Sequence, residues 1–208
     1  RKQGFQNDNV PYPATMYDIN GTWDQSRYTD WQKELIGGTA DAYAVQLSLS
    51  GGSETTSYNI SYGHNEQSTV LPADFRYRTD NVNANFSYFT PDRRLEFNFV
   101  NTFSFQKNNV QNDDLTLKSI TLSPNAPALY NTSGNINWEN GTFTNPAASF
   151  LSEYINKTAF FDNGLNVSYK LFPFLSVKMN AGISYQNFEE RSLKPHTINN
   201  PALGQTSL

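Results

Sequence analysis

The chain has 208 residues, of which 37% are apolar and 16% charged, with a formal charge of −4 and no cysteine. Such a length holds one architectural unit. The missing cysteines exclude disulfide frameworks and thiolate metal sites, and the dispersed charge, without a Lys/Arg cluster, offers nucleic acid no electrostatic footprint.

Aromatic residues make up 14% of the chain and asparagine occupies 26 positions. This balance favours strands and ordered loops over disorder or long helices. The chain begins Arg1-Lys2-Gln3-Gly4 without an initiator Met or an apolar signal segment, and is read as a fragment of a longer protein. No run of about 18 apolar residues exists, which excludes a transmembrane helix and leaves transmembrane strands open.

Taken in order, residues 1–42 lack periodicity and read as a loop region. Apolar residues then occupy alternate positions, the period of a strand with one apolar and one polar face. Val45, Leu47 and Leu49 join Tyr58, Ile60 and Tyr62 through Gly51-Gly52-Ser53-Glu54, where glycine is expected to supply positive φ. A medium loop is predicted at 64–74. Val82, Ala84, Phe86 and Tyr88 form the next strand, turn at Thr90-Pro91-Asp92-Arg93, and return through Leu95, Phe97, Phe99, Phe103 and Phe105, with Asn101 as a polar intruder. Strands one to four thus span 43–106.

A very long loop is predicted at 107–163. Leu165, Val167, Tyr169 and Leu171 then turn at Phe172-Pro173-Phe174 into Leu175, Val177, Met179, Ala181, Ile183 and Tyr185. These fifth and sixth strands cover 164–188, and 189–208 is a final loop. The fold class is therefore all-β, an antiparallel meander of about six strands in three hairpins. Short and long connections alternate, placing all turns at one end of the sheet and all loops at the other, as in outer-membrane barrels. The same alternation suits a soluble β-sandwich. An isolated open sheet is expected to fold over, form a sandwich or self-associate, because its edges and apolar face are uncovered.

Thr29-Asp30-Trp31-Gln32-Lys33-Glu34-Leu35, followed by Leu47-Ser48-Leu49-Ser50-Gly51-Gly52-Ser53, resembles the start of the barrel in SusC-like (RagA-like) TonB-dependent outer-membrane transporters. Thr56-Ser57-Tyr58-Asn59-Ile60-Ser61-Tyr62-Gly63 and Ala73-Asp74-Phe75-Arg76-Tyr77-Arg78 follow in the family's order. The landmarks Pro127-Ala128-Leu129-Tyr130-Asn131, Ser133-Gly134-Asn135-Ile136-Asn137-Trp138 and Asn145-Pro146 resemble its long loop, while Gln67-Ser68-Thr69-Val70 departs from the family's pattern. The resemblance implies a barrel of about 22 strands around a plug, importing glycan oligomers or peptides with TonB energy and a SusD-like surface lipoprotein as a lid. It places the parent protein in the outer membrane of a Gram-negative bacterium, its loops extracellular. The fragment alone would not transport. The alternative is a soluble extracellular β-domain that binds carbohydrate or mediates adhesion.

No catalytic constellation emerges, so no enzymatic activity and no cofactor is expected. His64 and His196 lack neighbouring ligands at metal spacing, and no metal is expected. The adjacent pairs Asp113-Asp114 and Glu189-Glu190 would point to opposite sides of an extended chain. In the long loop, Tyr130, Trp138, Phe143 and Tyr154 are the candidate ligand or partner contacts, Trp138 foremost, since flat aromatics among amides suit sugar rings. Phe150, Phe160 and Phe161 accompany them, and a small core that packs the loop onto the rim is the favoured role for these aromatics, ahead of ligand contact. Arg76 and Arg78 share the parity of the apolar stripe near its loop end, where they would meet lipid phosphates or lie solvated.

Overall fold

A computed structural model describes residues 2–111 and 113–201, so the last part of the expected final loop, 202–208, lies outside the described residues. Six strands form one antiparallel sheet in sequence order: β1 (Ala42–Gly52), β2 (Thr56–Ser68), β3 (Arg76–Phe89), β4 (Leu95–Val110), β5 (Glu153–Phe172) and β6 (Leu175–Leu193). The sheet is a single open layer with β1 and β6 at its edges, neither folded over nor built into a sandwich. Strand-to-strand hydrogen bonds hold it, and they need no second layer.

Directly opposed residues of antiparallel strands share a face. The register therefore collects the alternating apolar residues onto one face: Leu47, Tyr62, Val82, Phe103, Phe161 and Tyr185 form one row, and Tyr58, Phe86, Phe99, Leu165 and Ala181 another. The opposite face carries Asn and Ser, including the ladder Asn98, Asn166 and Asn180. Much of the apolar face is open, with Leu49 61%, Val177 52% and Ile183 62% exposed. Asn101 and Asn163 oppose each other within it. Asn101 is shielded and donates its amide to the Ala84 carbonyl.

The strands are longer than the alternation predicted. β2 runs past residue 63 to Ser68, β4 past 106 to Val110, β5 begins at Glu153 instead of 164, and β6 continues to Leu193. The apolar pattern stops early because the apolar parity turns charged at one height: Glu66, Arg78, Lys107, Lys157 and Glu189 stand in register. Backbone pairing continues beyond the end of the side-chain signal. The predicted loop 107–163 thus loses 107–110 to β4 and 153–163 to β5, so that Tyr154, Phe160 and Phe161 belong to β5.

Turn chemistry differs at one point. Among the described glycines, positive φ occurs at Gly21, Gly134 and Gly141, not at Gly51 or Gly52. Gly52 is required instead by close approach, since a Cβ there would collide with the Thr56 carbonyl oxygen. In the second turn the left-handed position falls on Arg93 (φ 54°), whose guanidinium lies 4.5 Å from the centre of the Phe89 ring.

At the loop end, after the short helix α1 (Lys2–Asn7), residues 8–41, 111 and 113–152 build a cap with its own core. Asp30 caps α2 (Trp31–Ile36) by accepting from the Lys33 backbone N–H at 3.1 Å, and the helix buries Trp31 and Leu35 one turn apart. These pack with Ala126 and Phe143, and with the half-buried Trp23, Leu129 and Phe150. Trp31 Nε1–H donates to the Ser123 carbonyl at 2.7 Å, and Trp23 Nε1–H to Thr142 Oγ1 at 3.1 Å. A further short helix, α3 (Leu115–Thr121), packs against α2. Apolar burial in the described chain is concentrated in this cap, not in the sheet.

Candidate functional site

The candidate site is a cavity of about 400 Å³ in the cap, between α3, the turn at Glu139–Gly141 and the segment 194–200. Trp138, Asp113, Lys118, Asn145 and Ser149 line it. Trp138 and Gly141 also line an adjoining cavity of about 320 Å³ among Asn131, Asn137 and Asn140. The indole therefore separates two polar hollows, each with amide donors and acceptors.

Local backbone strain sits beside that indole. Glu139, Asn140 and Gly141 occupy the left-handed region consecutively, with φ of 45°, 54° and 86°. Non-glycine residues adopt it at a cost, and such strain gathers where surrounding structure holds a loop for a purpose. Here Asn137 fixes the entry to the turn, its Oδ1 accepting from the Glu139 N–H at 3.0 Å.

Asn145 explains the Asn-Pro landmark. It is buried, donates its amide to the carbonyls of Leu129 and Asn137 at 2.6 and 2.9 Å, and accepts from Ala147 N–H at 2.8 Å. One side chain thus ties two loop segments to the turn that follows it, with Pro146 placed where its missing N–H costs nothing.

On the cavity wall, Ser149 Oγ donates to Asp113 Oδ2 at 2.5 Å and accepts from Lys118 Nζ at 3.2 Å. Lys118 and Asp113 are 3.7 Å apart, so the carboxylate is charge-balanced. The serine proton is committed to a carboxylate in this arrangement. The set offers a polar ligand one cation, one anion and a hydroxyl. Sequence reasoning missed Lys118 and Ser149, which lie 31 residues apart with no motif between them.

The four aromatic candidates do not converge. Trp138 and Phe143 share the first cavity, but Phe143 is a core residue, 2% exposed and edge-on to Trp23. Tyr130 is half exposed beside a separate hollow lined by Arg27 and Trp31. Tyr154 lies on β5, opposite Ser192 on the polar face of the sheet.

The acidic pairs separate as expected of extended chain: Glu189 opposes Lys157 on the apolar-side face and Glu190 opposes Asn156 on the other. Asp113 lines the cavity, while Asp114 caps α3. Arg76 and Arg78 are already paired with carboxylates. Both bind Glu66, Arg76 Nη1 at 2.5 Å and Arg78 Nε at 2.6 Å, and Arg76 also pairs with Asp74. His64 Nδ1 lies 2.8 Å from Asp80, which also accepts from Tyr62 Oη at 2.6 Å. Among the described residues no group of three or more His, Cys, Asp or Glu could hold a metal ion. The chain matches no protein-family model and no curated protein.

Proposed function

We propose that the chain is a section of the wall and outer rim of an outer-membrane β-barrel, an importer of the SusC-like kind that uses TonB energy. One observation carries this reading: six in-register strands present a largely apolar face, interrupted by Asn101 and Asn163, with nothing over it among the described residues and an Asn/Ser face behind it. From Leu95 to Phe105 the apolar band of β4 is about 34 Å along the strand, or about 25 Å at the usual barrel tilt, the height of a lipid-facing band. Aromatics gather at both borders, with Tyr88, Phe97 and Tyr169 toward the turns and Phe103, Phe161 and Tyr185 toward the loops. A soluble β-domain would need a second layer over this face, and the described residues supply none. Six strands fall short of the eight of the smallest closed barrels, so transport requires strands beyond these.

The cap then lies outside the cell, where its paired cavities around Trp138 suit an extended polar ligand. Glycan oligomers and peptides both fit that chemistry, with a SusD-like lipoprotein above. Substituting Val177→Asp, on the apolar face of β6, tests the assignment in the full-length barrel. Insertion into membranes is expected to weaken by up to about 1 kcal/mol, because Val177 stands in the Leu95–Tyr169 row at the turn-side border of the band, whereas Asn180→Asp on the opposite face leaves it unchanged. Equal insertion and uptake for Val177→Asp and wild type would overturn the lipid-facing reading.

A further inference from the structure

The charged row above the apolar band is uneven. Reading across β2 to β6, it runs Glu66, Arg78, Lys107, Lys157, Glu189, so three cations stand side by side between two carboxylates. Directly opposed residues lie about 5 Å apart at Cβ, and like charges so placed are destabilising unless something lies between them. Glu66 is 5% exposed and spends both oxygens on Arg76 and Arg78. Glu189 reaches Lys157 only at 3.9 Å. Lys107 has no carboxylate partner among the described residues and is exposed, as are Lys157 and, diagonally beyond it, Arg191. The neighbouring Asp80 does not relieve them, being held by Tyr62 and His64. Below Lys107 on the same face come Phe105, Phe103 and Phe161, with the two last rings 4.7 Å apart.

We infer that Lys107 and Lys157, flanked by Arg191, bind the phosphate of a lipid headgroup. The site rests on the membrane reading above. An anion between the two ammonium groups converts their repulsion into two charge-assisted contacts, while the acyl chains of the same molecule lie down the aromatic band immediately beneath. A free phosphate would satisfy the charges but leave the band uncovered, which is why the geometry favours a lipid. Arg76 and Arg78, neutralised by Glu66 and Asp74, serve as the side wall of the site and not as its ligands.

The test is binding of the full-length barrel containing this chain to vesicles of phosphatidylcholine alone and of phosphatidylcholine with about one-fifth phosphatidic acid, since an open six-stranded sheet leaves edges that lipid cannot satisfy. Insertion into the neutral vesicles is expected to be the same for wild type, Lys107→Ala and Lys157→Ala. The added affinity for the phosphatidic acid vesicles is expected to fall about fivefold for each lysine removed, and to survive in Lys107→Arg. Arg94→Ala, which removes the same charge at the turn end of the sheet, is expected to retain it. An equal loss in Arg94→Ala, or none in the lysine variants, overturns the site and leaves the membrane reading standing. Displacement by an equal concentration of inorganic phosphate would show a free-anion site and overturn the lipid assignment. Failure of wild type to insert into neutral vesicles overturns the membrane reading, and this site with it.

Discussion

Glu66 is a buried carboxylate on a sheet face that is otherwise largely open. Its neighbours explain this: two arginines on β3 close over it, and their aliphatic stems cover what their charges pair. The cap uses carboxylates differently. Asp114 accepts from the backbone N–H of Thr116 at 2.8 Å and from the Thr116 side chain, which hold its carboxyl below the ordinary 3.8. A carboxyl lowered on folding stabilises above its unfolded value and loses that contribution as pH falls through the folded one. Hydrogen exchange at 115–121, taken relative to the intrinsic rate of each amide at the same pH, is therefore expected to be flat between about pH 8 and 5 and to quicken below about pH 4. Asp114→Ala should quicken it about fivefold at neutral pH and abolish the acid step. An acid step persisting in Asp114→Ala would assign it elsewhere.

At the scale of elements, the hairpins differ in how their turns are secured. The first depends on backbone closeness at Gly52, beside the Ser53 N–H to Thr56 carbonyl bond of 2.7 Å. The second uses Thr90 and Asp92, with Asp92 accepting from Arg94 N–H at 3.1 Å. Gly52→Ala is expected to weaken the β1–β2 hairpin by about 1–3 kcal/mol, since the collision involves backbone and cannot be relieved by a rotamer. Gly63→Ala, where the added Cβ meets nothing within 4 Å, is expected to stay within about 0.5 kcal/mol. Denaturant unfolding of the two variants separates close approach from a general cost of losing glycine. Equal losses would place the effect in strand propensity.

At the scale of the whole sheet, β1 and β6 each have one partner and the apolar face has no cover among the described residues. Open edges and contiguous apolar surface both favour association. The chain is expected to be monomeric in neutral detergent micelles and to form larger assemblies in buffer alone, as light scattering would register. A single well-defined monomer in buffer would mean that the sheet closes on itself in solution.

The six strands, their order and the short turns were legible because alternation is a local property: each side chain's face follows from its neighbours in sequence. Strand ends were not legible. Beyond the apolar band the outward positions are Glu66, Lys107, Lys157 and Glu189, and a charged residue on an exposed strand looks like loop until its partner strand is known. Of the residues around the cavity, Trp138 and Phe143 were named from composition, and Asn145 only as a landmark of the long loop. The Asp113, Lys118 and Ser149 cluster arises only when α3 meets the turn after Pro146. The sequence by itself determined an all-β meander with one apolar face. Only the tertiary structure decided that the cations of three strands stand side by side, because register is set by pairing between segments whose separation no local pattern records.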